Sequence, residues 1–284
     1  MMDRRGFTLA ELMVGLIVAT LVGTALMGMI MTEAKATSNR DAWRNARGVS
    51  RGTLNLLESE LAMVETSGGI EALAAQNITL RVPFAMGILC GYSAGVSTLS
   101  ILPTDSSLYF STGYSGFAWR SGLTYNYVLS GVAVNNSASV APCTAQSITT
   151  LPAPGTVAAN AGRVVAVTGN LAVVPPVATA FILFRRIRYE FKASTLVPGR
   201  VGLWRTLVST GTTQEIAAPF DTTSKFRFFI RDSTTAQAAV PGTLSDLRGL
   251  EVQLDGASET TPRGAARAKI FRTTAAIFFY NRPD

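Results

Sequence analysis

The chain opens with an apolar run, continues as a one-sided helical pattern, and then changes to strand alternation. Residues 7–31, which follow Arg4-Arg5-Gly6, are mostly apolar and contain one charged residue, Glu11. At about 1.5 Å per residue this stretch reaches about 37 Å as a helix, against a hydrocarbon core of about 30 Å. From Glu33 to Glu65 the pattern becomes amphipathic: Trp43, Ala46, Ser50, Leu54, Leu57, Leu61 and Val64 recur at spacings of three and four. The basic residues Arg40, Arg44, Arg47 and Arg51 precede the acidic Glu58, Glu60 and Glu65, and Ser67-Gly68-Gly69 breaks the pattern. Residues 7–65 are therefore predicted to form one helix of roughly 88 Å, with its first half in membrane or filament core. Its second half would pack on a globular domain.

Beyond residue 74 no long helical period appears. Phe226, Phe228 and Ile230 alternate with Lys225, Arg227 and Arg231, and Leu250, Val252 and Leu254 alternate with Glu251, Gln253 and Asp255. Phe181–Phe191, Gly202–Val208 and Lys269–Tyr280 are further strand candidates, rich in aromatic and branched residues. Residues 92–162 are rich in Ser, Gly, Ala, Thr and Asn; they read as short strands such as Leu99–Leu102 and Tyr125–Leu129 joined by long loops. The fold class expected is α+β, a long N-terminal helix packed on a mainly antiparallel sheet.

Glu11 needs an explanation. An acid at the middle of a membrane helix costs roughly 2.5–3.5 kcal/mol on insertion scales, and less near an end. Thr8-x-x-Glu11 fits a capping box at a helix start, which is one local use for the carboxylate. An ordinary secretory signal has an apolar region of about 7–15 residues and ends at small residues of the Ala-x-Ala kind, and no such site follows here. Arg4-Arg5-x-Phe7 partly imitates a twin-arginine export signal, but an acid inside the apolar run argues against it. Gly15, Ala19 and Gly23 stand four apart, a small-residue row that admits another helix backbone and is also common in membrane helices generally.

The run Gly6-Phe7-Thr8-Leu9-Ala10-Glu11-Leu12-Met13-Val14 resembles the signature of type IV prepilins and type II secretion pseudopilins. Ala10 is a mild departure, since the family more often has isoleucine there. The resemblance implies a leader at residues 1–6, cleavage by a membrane prepilin peptidase between Gly6 and Phe7, and N-methylation of Phe7. It implies a membrane and assembly segment at 7–31, an amphipathic half-helix at 32–66 and a pilin-like β-rich domain at 67–284. It gives Glu11 an assembly role, pairing with the amino group of a first residue, its own or a neighbour's, inside a helical bundle. Such a pair is strong in a low-dielectric setting, where either charge alone would be costly.

A looser similarity points to PilW-type minor pilins and the J-type pseudopilin of type II secretion. It rests on Ala46-Arg47 through Ser50-Arg51 to Leu54-Leu57-Glu60-Leu61, on Tyr189-Glu190-Phe191 with Gly202-Leu203-Trp204-Arg205, and on Leu250-Glu251-Val252. It implies a low-copy subunit near a filament tip that helps assembly begin. The partners would be other minor and major pilins or pseudopilins, the prepilin peptidase, an inner-membrane assembly platform and the membrane itself. The precursor would be a single-pass protein of the bacterial inner membrane with its C-terminal domain extracytoplasmic, later passing into a pilus or pseudopilus. A membrane-anchored adhesin or DNA-uptake binding subunit is the alternative.

Cys90 and Cys143 are the only cysteines, and outside the cytoplasm an even count favours a disulfide over two buried thiols. The chain-entropy model gives such a loop about 4 kcal/mol. Catalysis is not expected, nor is a cofactor or a metal. Gly91-Tyr92-Ser93-Ala94-Gly95 matches the G-x-S-x-G elbow, but the chain has no histidine for a Ser-His-Asp relay. None of Lys35, Lys192, Lys225 and Lys269 lies three residues after a serine. Two distant cysteines without histidine cannot supply the usual zinc ligands. The net charge is +7, and removing Asp3, Arg4 and Arg5 with the leader leaves 23 basic and 17 acidic residues, or +6. A basic surface attracts DNA or anionic lipid, yet arginines spread over strands serve solubility equally well. Arg185-Arg186-Ile187-Arg188 is the densest group, and a strand divides it between two faces. Nucleic acid is not expected as a partner.

Overall fold

The structure, a computed structural model, describes residues 9–65, 68–101, 105, 114–122, 124–129, 134–135, 139–148 and 163–278. Helix α1 (Leu9–Leu61) is continuous over 53 residues, or about 80 Å. It ends four residues before Glu65 because the last turn tightens: the N–H of Met63 donates to Glu60 O, and that of Val64 to Leu61 O, at 3.3 and 3.1 Å. Val64 is still buried.

The strands are β1 (Ile70–Ala74), β2 (Asn77–Ser93), β3 (Val96–Ile101), β4 (Gly116–Ser121), β5 (Thr124–Val128), β6 (Val134–Asn135) and β7 (Arg163–Thr168), with a short helix α2 (Ala141–Ala145) between β6 and β7. They continue as β8 (Ala180–Ala193), β9 (Val201–Leu207), β10 (Thr212–Phe220), β11 (Lys225–Ile230), β12 (Leu247–Ala257) and β13 (Ile270–Phe278). Among the described residues these form one 13-stranded sheet, and the pairings are antiparallel. Its spine is the pair of long strands β2 and β8, in register from Asn77↔Glu190 to Ile88↔Ala180 with one shift between Pro83 and Ala85. On the other edge of β8, β4 takes Phe181–Phe184 and β9 takes Ile187–Ala193. β12 lies between β11 and β13 and meets β10 at Phe220↔Gly256. The Phe226 N–H donates to Ala75 O at 2.8 Å, bringing β11 back towards the β1–β2 turn, so the sheet curls over its core.

Two large apolar clusters result. The first joins Leu57, Leu61 and Val64 of the helix side to Leu80, Ile187, Tyr189, Phe226, Phe228 and Leu250. The second, on the far halves of β2 and β8, contains Leu89, Leu99, Phe117, Trp119, Phe181 and Leu183. Phe117, Trp119 and Phe181 stack with centroids 5.4–6.2 Å apart. Cys90 on β2 is bonded to Cys143 on α2, with Cα atoms 4.6 Å apart, and both are buried beside Val164.

The α+β class, the helix, the late strands and the disulfide agree with the sequence reading. Two details differ. Trp43 is 45% exposed, touching Phe271 edge-on at 6.4 Å, and the buried stripe instead runs Ala42, Ala46, Ser50, Thr53, Leu57, Leu61, which lets the helix lie close to the sheet. β12 is buried at its polar positions as well: Gln253 and Asp255 are inside along with Leu250, Val252 and Leu254, because α1 covers the face that Leu254 and Gly256 share, while Thr223 and Arg272 close over the opposite one. Gly91–Ser93 ends β2, and Ala94-Gly95, with φ of 48° and 79°, turns the chain into β3. Two positive-φ residues make the tight hairpin turn that matches strand twist. The G-x-S-x-G stretch is thus a β-hairpin, not the strand–turn–helix of a nucleophile elbow. Within 92–162 the islands at 99–102 and 125–129 are β3 and β5; residue 102 lies outside the described residues, as do 279–280 at the end of the last strand candidate.

Candidate functional site

The candidate site is α1 in two parts, an apolar stalk and the seat that holds the helix on the sheet. Among the described residues α1 is the one helix long and apolar enough to cross a membrane, and its apolar window has none of its residues buried within the molecule. Leu9 is 80% exposed, and Leu12, Leu16, Leu21, Met29 and Ile30 also project outward. A single soluble protein rarely leaves so long an apolar surface bare. Glu11 lies in the first turns of this stalk and is exposed. Gly15 and Gly23 have nothing within 4 Å of a Cβ built on them, so the row Gly15, Ala19, Gly23 is an uncovered strip. Gly6, Phe7 and Thr8, with the expected cleavage point, methylation site and capping box, lie outside the described residues.

The seat is built by small residues. A Cβ on Gly256 of β12 would fall 2.2 Å from Ser50 Oγ and 2.3 Å from Ala46 O, so helix and strand backbones meet where only glycine fits. The Gly256 N–H donates to Ser50 Oγ at 3.0 Å, and Ser50 in turn reaches Phe271 O of β13 at 3.3 Å. One hydroxyl thus ties the helix to two strands.

Beside it, Asp255 is fully buried and receives Arg272 Nε at 2.6 Å, Arg272 Nη2 at 3.0 Å, Gln253 Nε2 at 2.9 Å and the Thr223 hydroxyl. Its own N–H donates to Ser224 Oγ at 2.9 Å. Burial pushes the Asp255 carboxyl up, but the bonds from Arg272, Thr223 and Gln253 outweigh it and hold it below the ordinary carboxylate value. A carboxyl depressed on folding stabilises above its unfolded pKa of about 3.9, and that contribution is lost as pH falls through the folded value. Asp255→Asn is therefore expected to lower the melting temperature at pH 7. The gap between variant and parent should narrow as pH falls from about 4 to 2, as read by thermal melts across that range.

At the C-terminal end of α1, Glu60 accepts the buried Tyr189 hydroxyl and pairs with Arg205 at 3.3 Å, while Arg205 Nε approaches Tyr189 Oη at 3.4 Å. Burial first, then the Glu60 charge, raises the Tyr189 phenol, which stays protonated as a donor. The helix is thereby fixed to β8 and β9. Sequence reading placed Glu60 among the acidic residues of the amphipathic half-helix and, with Tyr189 and Arg205, in the looser pilin similarity, without joining the three. Gly256, Asp255 and the Glu60–Tyr189–Arg205 group were not singled out, because each is defined by residues 16 to more than 200 positions apart. The Asp255↔Arg272 pair becomes visible only once β12–β13 register is known. Arg185 and Arg186 separate as strand geometry requires: Arg186 is held by Glu71, whereas Arg185 lies over the Phe84 ring.

A family model described as the prokaryotic N-terminal methylation motif matches residues 1–27. Comparison of the chain with curated proteins, and with solved structures, gave no match. Residues 9–27 of the matched stretch lie within the bare apolar half of α1. A membrane-anchored precursor fits that arrangement, as does assembly with pilin-type proteins. The methylation motif at this N terminus supports a type IV prepilin-like protein.

Proposed function

We propose that the chain is a minor pilin or pseudopilin, a low-copy structural subunit of a type IV pilus-like filament, placed near its tip and helping assembly begin. It acts by assembly and not by turnover. The observation that carries this reading is the uncovered apolar stalk with its early carboxylate, Glu11, within and beyond a methylation motif. In the membrane lipid covers the stalk; in a filament, sister stalks replace the lipid, with close approach along Gly15, Ala19 and Gly23. The size of the β domain and the loose similarity around Tyr189–Phe191 and Gly202–Arg205 support a minor rather than a major subunit. The domain would be extracytoplasmic, as the Cys90–Cys143 bond favours.

Determination of the N terminus and mass of the protein extracted from membranes tests the processing step. The mature chain is expected to begin at Phe7 and to carry one methyl group. A mature chain beginning elsewhere, in cells with an active prepilin peptidase, would overturn the reading.

A further inference from the structure

Leu183, Arg185 and Ile187 share one face of β8, by strand alternation. Leu183 belongs to the second apolar cluster and Ile187 to the first, so Arg185 stands at the seam between them. The helix ends at this seam. Between its last turn and the β2–β8 pair lies a notch of about 290 Å³, lined by Glu60, Met63, Val82, Phe84, Arg185 and Arg205 among others. Its walls are apolar and its polar floor is two guanidinium groups against one carboxylate. Glu60 is already engaged by Tyr189 and Arg205.

Arg185 has no such arrangement. Its guanidinium sits 4.3 Å from the Phe84 ring centroid, its Nε is buried without an acceptor, and among the described residues no ion pair or hydrogen bond reaches it. Burial and the neighbouring Arg205 charge both lower its pKa, opposed only by Glu60. A half-buried donor without an acceptor weakens the free subunit. Such a group in a folded chain calls for an explanation, and a partner that completes it is one.

We propose that this notch receives a carboxylate side chain of an adjacent filament subunit, its oxygens on Arg185 and its apolar stem against Met63, Val82 and Phe84. The proposal rests on the assembly reading above. One surplus positive charge matches one carboxylate, and Met63, 50% exposed, marks the open side from which a neighbour would enter. A planar carboxylate suits the guanidinium fork.

The test uses the full chain in detergent, with hexanoate as probe and hexanamide as its uncharged control. Hexanoate is expected to give a saturable shift of one arginine Nε–H resonance, absent with hexanamide and absent in Arg185→Met. The same variant should raise the melting temperature by about 2–4 °C, since it removes an unsatisfied buried group. In cells it should be processed normally yet enter filaments about tenfold less, the loss of one charge-assisted bond. No saturable shift, an equal response to hexanamide, or a lowered melting temperature would overturn the carboxylate site. Wild-type incorporation of Arg185→Met alongside a failing Glu11→Ala would overturn the subunit partner and leave the assembly reading standing. Absence of the unaltered chain from filaments, in cells that assemble them, would overturn that reading too.

Discussion

Replacing Glu11 by alanine is expected to leave membrane insertion intact and to cut incorporation into filaments about 100-fold or more. The two effects separate because they draw on opposite energetic terms. In lipid, an acid in an apolar helix is a burden of up to roughly 2.5–3.5 kcal/mol, so its removal favours insertion. In a bundle of stalks the same carboxylate would face the amine of a mature first residue. Removing one member of a buried pair costs about 3–5 kcal/mol, because the partner charge is left uncompensated. At 1.4 kcal/mol per factor of ten, that corresponds to about 100- to 1000-fold or more in the equilibrium. Glu11→Gln should fall between, keeping a hydrogen bond without the charge. The measurement is the ratio of filament-bound to membrane-bound subunit, normalised to processed chain. A normal ratio for Glu11→Ala would remove the assembly role from this residue. The small-residue row at Gly15, Ala19 and Gly23 would then be the remaining feature of the stalk to support assembly.

How far the sequence revealed this architecture depended on how local each signal was. The stalk, the change to amphipathic pattern near Glu33 and strand β11 rest on hydrophobic spacing within a few turns or pleats, and strands β8, β9 and β13 on local aromatic and branched content; they stand where those signals place them. β2 was missed although Ile78, Leu80 and Val82 alternate with Thr79 and Arg81; its second half, Gly87 to Ser93, is too rich in small residues to carry the period. Trp43 misled the helix-face reading because hydrophobicity favours a large side chain, whereas the helix approaches the sheet through Ala42, Ala46 and Ser50. The polar positions of β12 misled it differently. Glu251, Gln253 and Asp255 look like a solvent face until β11 and β13 are known to flank the strand and Arg272 to stand opposite Asp255. The stalk and Glu11 were legible as a site; the seat and the Arg185 notch, which depend on long-range register, were not.

Gly256→Ala should be among the most destabilising single-heavy-atom additions in the domain, lowering the melting temperature by roughly 4–24 °C; Gly256→Val should undock the helix. The added Cβ would lie 2.3 Å from Ala46 O and 2.2 Å from Ser50 Oγ, well inside contact distance. The serine can rotate away, but the Ala46 carbonyl belongs to the helix backbone and moves only if α1 moves. Overpacking of this kind costs about 1–3 kcal/mol, and loss of the Gly256–Ser50–Phe271 hydrogen bonds adds about 0.5–1.5 kcal/mol each. For a domain of this size each kcal/mol lowers the melting point by about 2–4 °C. A lifted helix also loosens the contacts of Leu57 and Leu61 with Phe226, Phe228 and Leu250 in the first apolar cluster. Ser50→Ala in the same chain should restore only part of the loss, since it relieves one clash and leaves the backbone one. Full rescue by Ser50→Ala would show that the side chain, not the carbonyl, sets the limit. An unchanged melting temperature for Gly256→Ala would mean that helix and strand are not seated as closely as described. The consequence reaches function, because a stalk lifted from its seat no longer fixes the direction in which the β domain is carried by its own helix.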